Sequence, residues 1–133
     1  MKFKEKIKNI NFQTLNHDLT IVISNDVHKS REIRGHILGP TDLPPENIRA
    51  MHSTNGLGKS FLFIPHDADV GEVAHESYHC VWTVMKFINA QHENEIVAYA
   101  LTFVVRSVHD TLKAYHQMGK RRKRLPLDKN KKK

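Results

Sequence analysis

A chain of 133 residues with a single cysteine, Cys80, cannot form an intramolecular disulfide, and that usage fits a reducing cytoplasm. Apolar runs of membrane-spanning length are also missing. The longest, around Ile96 to Val105, is interrupted by Tyr99 and Thr102. The opening Met-Lys-Phe-Lys-Glu-Lys-Ile-Lys carries positive charge with no apolar stretch behind it, so no secretory leader is expected. No internal repeat is visible. With 39% hydrophobic and 26% charged residues, the expectation is one soluble, cytoplasmic globular domain, free of membrane and large enough for a real core.

Acidic residues are scarce only at one end. The net charge is +7, but Lys120 to Lys133 holds nine Lys or Arg against one acid, Asp128. The remaining 119 residues carry 12 basic and 13 acidic groups, so the basicity belongs to a tail and not to the fold. A single domain over 1–119 and a basic, disordered tail over 120–133 are therefore expected. Such a tail is either a solubilising extension or a nonspecific phosphate-binding arm for nucleic acid. No aromatic side chain is interleaved in it to stack on bases.

The remaining pattern is α+β. Residues 2–15 place Lys between Phe3, Ile7, Ile10 and Phe12, which suits either a short amphipathic helix or an extended arm. Leu19 to Ser24 is rich in β-branched residues and reads as a strand; Asp26 then caps a helix to about Arg34, closed by Gly35. A loop follows over 39–45. Ile48 to Thr54 and Lys59 to Ile64 flank Asn55-Gly56-Leu57-Gly58, a hairpin signal. From Val70 the period becomes helical, through Val73, Tyr78, Val81, Trp82 and Met85 to Ile88, with Asp67 or Asp69 as N-cap and Glu72 in the first turn. A second helix is expected from Asn94 to Met118, ended by Gly119. Both apolar stripes are read as core. The result is a small sheet packed on two helices.

Residues 75–79 read His-Glu-Ser-Tyr-His on the first of those helices. Positions i and i+4 share a face, so His75 and His79 can aim both imidazoles at one point with Glu76 beside them. That is two-thirds of a catalytic Zn2+ site plus its general base. A catalytic zinc normally takes three protein ligands, and the downstream candidates are His92, Glu93, Glu95, His109 and His116. His109 is about four turns, ~21 Å, beyond Glu95 along a straight helix, so the two cannot share an ion. Cys80 follows His79 directly and faces away from the pair. A purely structural zinc is disfavoured, because structural sites are usually closed and cysteine-rich. His17, His28, His36, His52 and His66 show no ligand spacing and read as surface or loop residues.

Asn94-Glu95-Ile96-Val97-Ala98-Tyr99 resembles the Asn-Glu-x-x-(Ser/Ala)-Asp motif that follows HExxH in the gluzincins, the thermolysin group of metallopeptidases. The resemblance implies Glu95 as third metal ligand, with Ala98 as the small residue that lets two helices approach. Tyr99 stands where that pattern has an acid, so the carboxylate that would orient a ligand histidine must come from elsewhere, or the Tyr99 hydroxyl replaces it. The short spacing between His79 and Glu95 and the strands before the motif are similar to the minimal ImmA/IrrE-type zincin domains of phages and mobile elements, over about residues 48–115. A metzincin pattern fails, since Trp82 and Met85 occupy its Gly and third His positions. A SprT-like arrangement would need His92 as third ligand, in a poor loop context.

The reading implied is a small zinc-dependent peptidase acting on a protein or peptide substrate, such as a regulatory protein. Glu76 would serve as general base, and Tyr99, His109 or Tyr115 as oxyanion donor; an extended peptide would pair along Lys59 to Ile64. The alternative is a catalytically inactive zincin-like protein that associates with nucleic acid through Lys120–Lys133.

Overall fold

The computed structural model describes residues 4–12, 17–26, 29, 32, 49–54, 58–90 and 92–131, with side chains described as far as residue 118. Among the described residues the elements with defined bounds are four strands, β1 (Glu5–Phe12), β2 (His17–Ser24), β3 (Met51–Thr54) and β4 (Lys59–Pro65), and two helices after them, α1 (Val70–Phe87) and α2 (Asn94–Lys131). The fold is α+β. The strands form one mixed sheet in the order β1-β2-β4-β3.

The ambiguous N-terminal segment is a strand. β1 pairs antiparallel with β2 from Glu5↔Ser24 to Phe12↔His17. The hairpin is present as β3 and β4, antiparallel from Met51↔Phe63 to Thr54↔Ser60, with Gly58 at φ 86 beside β4. β2 and β4 run parallel, a pairing that needs a crossover connection and leaves no local mark in sequence. Lys29 and Glu32 are helical, and the Asp26 carboxylate accepts from the Lys29 backbone N–H at 3.2 Å, as expected of an N-cap. The expected closure of that helix at Gly35, the loop over 39–45 and the turn residues 55–57 lie outside the described residues.

Register sets which residues meet the helices. Leu19, Ile21 and Ile23 of β2 and Leu62 and Ile64 of β4 share the face that packs on α1 and α2. There they meet Val81, Val84 and Met85 of α1 and Val104 and Val108 of α2, all essentially inaccessible. On the opposite face Val22, Met51, Phe61 and Phe63 form a second buried cluster. β4 is thus buried on both faces, which explains its unbroken Phe-Leu-Phe-Ile run.

α1 begins where the sequence places it. Asp69 is its N-cap: its carboxylate accepts from the Glu72 N–H at 2.7 Å, and Glu72 reaches back to the Asp69 N–H at 3.3 Å. The apolar stripe is narrower than expected, because Val70, Tyr78 and Trp82 are exposed. The helical backbone of α2 also runs past Gly119 and through Pro126 to Lys131; the Lys and Arg of this stretch are good helix formers. No helix among the described residues is long and apolar enough to cross a membrane.

Candidate active site

His75 and His79 lie one turn apart on the solvent side of α1, the side opposite its buried residues Ser77, Cys80, Val81 and Val84. Their Nε2 atoms stand 3.1 Å apart and the rings meet edge to face, with centroids 4.8 Å apart. Two imidazole nitrogens on one tetrahedral zinc, each at 2.0–2.1 Å, would be about 3.3 Å apart. The pair therefore already has the spacing of two ligands on one ion.

Glu76 is turned inward, its side chain only 10% exposed, with Oε1 4.0 Å from His75 Nε2. Burial pushes its carboxyl above the ordinary range, against the opposing pull of His79 and His75 and a hydrogen bond from the His52 backbone. The His52 contact comes from β3, so the strand beside α1 fixes the acid. Arg49, just before β3, holds Asp67 at 2.6 Å and Glu72 at 3.3 Å. Arg49, Ala50, Gly71, Glu72, His75 and Glu76 line a shallow cleft of about 300 Å³ on the His75 side of the pair.

Beneath the cleft is a polar layer on the helix-facing side of the sheet. His17 is fully buried and hydrogen-bonds Ser60 Oγ through Nε2 at 2.9 Å, and its ring contacts Phe12 and Phe87 edge-on. Burial lowers its pKa, opposed by Asp18. His52 is pushed down to about 4, first by burial and then by the nearby His79 and His17. Cys80, hydrogen-bonded to Ser60, is pushed up to about 12 by burial. Among the described residues, His17 Nδ1, His52 Nε2 and Ser77 Oγ are buried without a hydrogen-bond partner.

The other residues singled out in the sequence lie on α2 and on the sheet. Glu95 is exposed on α2, and nine residues at 3.6 per turn put it half a turn from Val104, in the face buried against the core. The connector explains the register. His79 is eight residues, ~12 Å of helix, before the end of α1, whereas Glu95 opens α2 just beyond that end. Among the described residues no group of three His, Cys, Asp or Glu is gathered closely enough to hold a metal. The donors present fit a divalent ion as a pair of imidazoles, and Glu95 does not complete the set.

Ala98 is exposed, and the small residue that α2 buries is Ala100. Tyr99 is 73% exposed on the same face as Glu95. His109 is exposed beside Asp110, and Tyr115 is buried against His66 with Lys4 over its ring. None of these three makes a hydrogen bond or ring contact with the histidine pair. β4 is a central strand and cannot receive a peptide by edge pairing; among the described residues the edge strand beside α1 is β3. His17 and His52 are strand residues facing the helices, not surface or loop positions, while His28 and His36 lie outside the described residues. Cys80 does face away from the pair, into the core. Arg49 and His52 were not singled out by spacing, because their relation to α1 arises only when β3 packs on it.

Comparison with protein-family models, curated proteins and solved structures returns no match to this chain.

Proposed function

We propose that the chain is a zinc-dependent peptidase whose reactive centre is His75, Glu76 and His79. The observation that carries this reading is the 3.1 Å convergence of the two Nε2 atoms beside a buried carboxyl. His75 and His79 would hold the ion through Nε2, and a bound divalent ion supplies Lewis acidity and water of near-neutral pKa. Glu76 takes the proton of the attacking water on a carboxylate oxygen and returns it to the departing amine. Its burial raises its basicity, and the His52 N–H limits its rotation.

The substrate class follows from the surroundings. β3 is a four-residue edge strand next to the cleft, suited to pairing with an extended peptide. Tyr78 and Trp82 are exposed on α1 at positions 78 and 82, continuing the i, i+3, i+4, i+7 face of His75 and His79. They offer an apolar contact for a substrate side chain beside the scissile bond.

The test is cleavage of a fluorogenic peptide mixture by zinc-reconstituted protein, wild type beside Glu76→Gln. Cleavage by wild type and its loss in the variant are expected. Equal cleavage by both would reject Glu76 as the base.

A further inference from the structure

We infer that the groove between β1 and α2 is a binding surface for a nucleic-acid phosphate backbone, continuous with the basic end of α2 and independent of the histidine pair. The sequence alone points to residues 120–133; the fold adds a built wall to them. Because β1 is a strand, Lys4, Lys6 and Lys8 fall on one side at a repeat of about 6.7 Å. Register places Lys6 opposite Ile23 and Lys8 opposite Ile21, on the helix-facing side of the sheet. Glu5 alternates to the other side.

Lys6, Lys8 and Ile10 of β1 face Ser107, Asp110 and Thr111 of α2 across an open groove of about 390 Å³. β1 runs antiparallel to α2: Phe12 packs on Phe103 at 4.8 Å between centroids, and Lys4 Nζ sits 4.7 Å from the Tyr115 ring. The lysines therefore ascend, Lys8 to Lys6 to Lys4, toward the end of α2 that continues as Lys120-Arg121-Arg122-Lys123-Arg124. That run starts six residues, ~9 Å, beyond the groove's last wall residue, Ala114.

A line of cations along one wall of an open groove, followed in sequence by the basic run of α2, matches a polyphosphate chain. The basic end of α2 has only Leu125 and Leu127 as apolar anchors, too few for a lipid surface. The lack of aromatic residues in that end limits recognition to phosphates, without base readout. Among the described residues Asp110 is the one acid lining the groove, and it works against binding.

The test is fluorescence anisotropy of the full chain with a labelled, mixed-sequence ~20-nucleotide single strand, titrated between about 50 and about 200 mM salt. Wild type is expected to bind with affinity falling steeply with salt. Lys6→Gln/Lys8→Gln is expected to weaken binding about tenfold and to flatten the log–log salt slope by about 1.4, two phosphate contacts. Asp110→Asn is expected to tighten binding about threefold, a gain that misfolding cannot produce. Lys86→Gln, on α1, should change nothing. Absent binding at the lowest salt, an Asp110→Asn variant no tighter than wild type, or an unchanged slope in the double variant would overturn the proposal. So would capture by phosphatidylserine vesicles without oligonucleotide binding.

Discussion

His75 Nε2 lies 3.1 Å from His79 Nε2 on the exposed side of α1, while Glu76, the residue between them in the motif, is turned into the protein. The proposed ligand pair and the proposed base are thus separated by environment: two imidazoles in water, one carboxyl shielded from it. On one helix this split needs only the spacing of HExxH and a strand, β3, close enough to cover position 76.

Glu76→Gln tests both halves of that separation. Hydrolysis is expected to fall at least ~10²-fold, the lower range for general-base catalysis, with zinc still bound. The metal-free variant should also be more stable than wild type at neutral pH. A raised carboxyl pKa means that native stability is fully present below the ordinary 4.5 and is lost as pH rises through the folded value. Denaturant midpoints of the two proteins should therefore converge below pH 4.5 and part above it; identical midpoints at pH 7 would contradict the burial of this charge.

Glu95→Ala is expected to leave zinc affinity and hydrolysis within twofold of wild type, since Glu95 is exposed on α2 and belongs to no group of three donors among the described residues. A loss of bound zinc, measured by elemental analysis of dialysed protein, would show that α2 can bring its first turn to His75 and His79.

His52 makes stability sensitive to acid. Its pKa falls from 6.5 to about 4 on folding, so the native state resists a proton that the unfolded chain accepts. Stability should decline as pH drops from 6.5 towards 4, by on the order of 3 kcal/mol from this one group. His52→Leu should flatten that decline, measured by urea unfolding at pH 7 and pH 5. An unchanged pH dependence in the variant would place the effect elsewhere.

Ser77 offers a gain of stability. Its hydroxyl is buried in α1 with no partner among the described residues. Ser77→Ala removes that desolvation cost and improves helix propensity, an expected gain of about 1 kcal/mol. A Tm at or below that of wild type would show that the hydroxyl is satisfied.

Local chemistry made much of this fold legible. The Asp69/Glu72 capping box, the β-branched run of β2 and the hairpin of β3 and β4 all rest on neighbours within a few residues. β1 stayed ambiguous because Ile7 and Ile10 fall on opposite faces of the sheet; pairing with β2 decides its form, and that partner is a separate segment. β4 is read from sequence as a strand able to take a peptide along its edge, but its parallel pairing with β2, which leaves no local mark, makes it central. Glu95 shows where motif spacing stops. Which face of α2 meets the core depends on Ala100, Val104 and Val108, so Glu95, half a turn from Val104, ends on the exposed face.

Zinc binding to the histidine pair bears most directly on the proposed chemistry. Isothermal titration of metal-free wild type with zinc should show one ion per chain, and His79→Ala, at an exposed position that leaves the fold intact, should show none. Absent heat of binding in wild type, or equal binding by His79→Ala, would contradict the account.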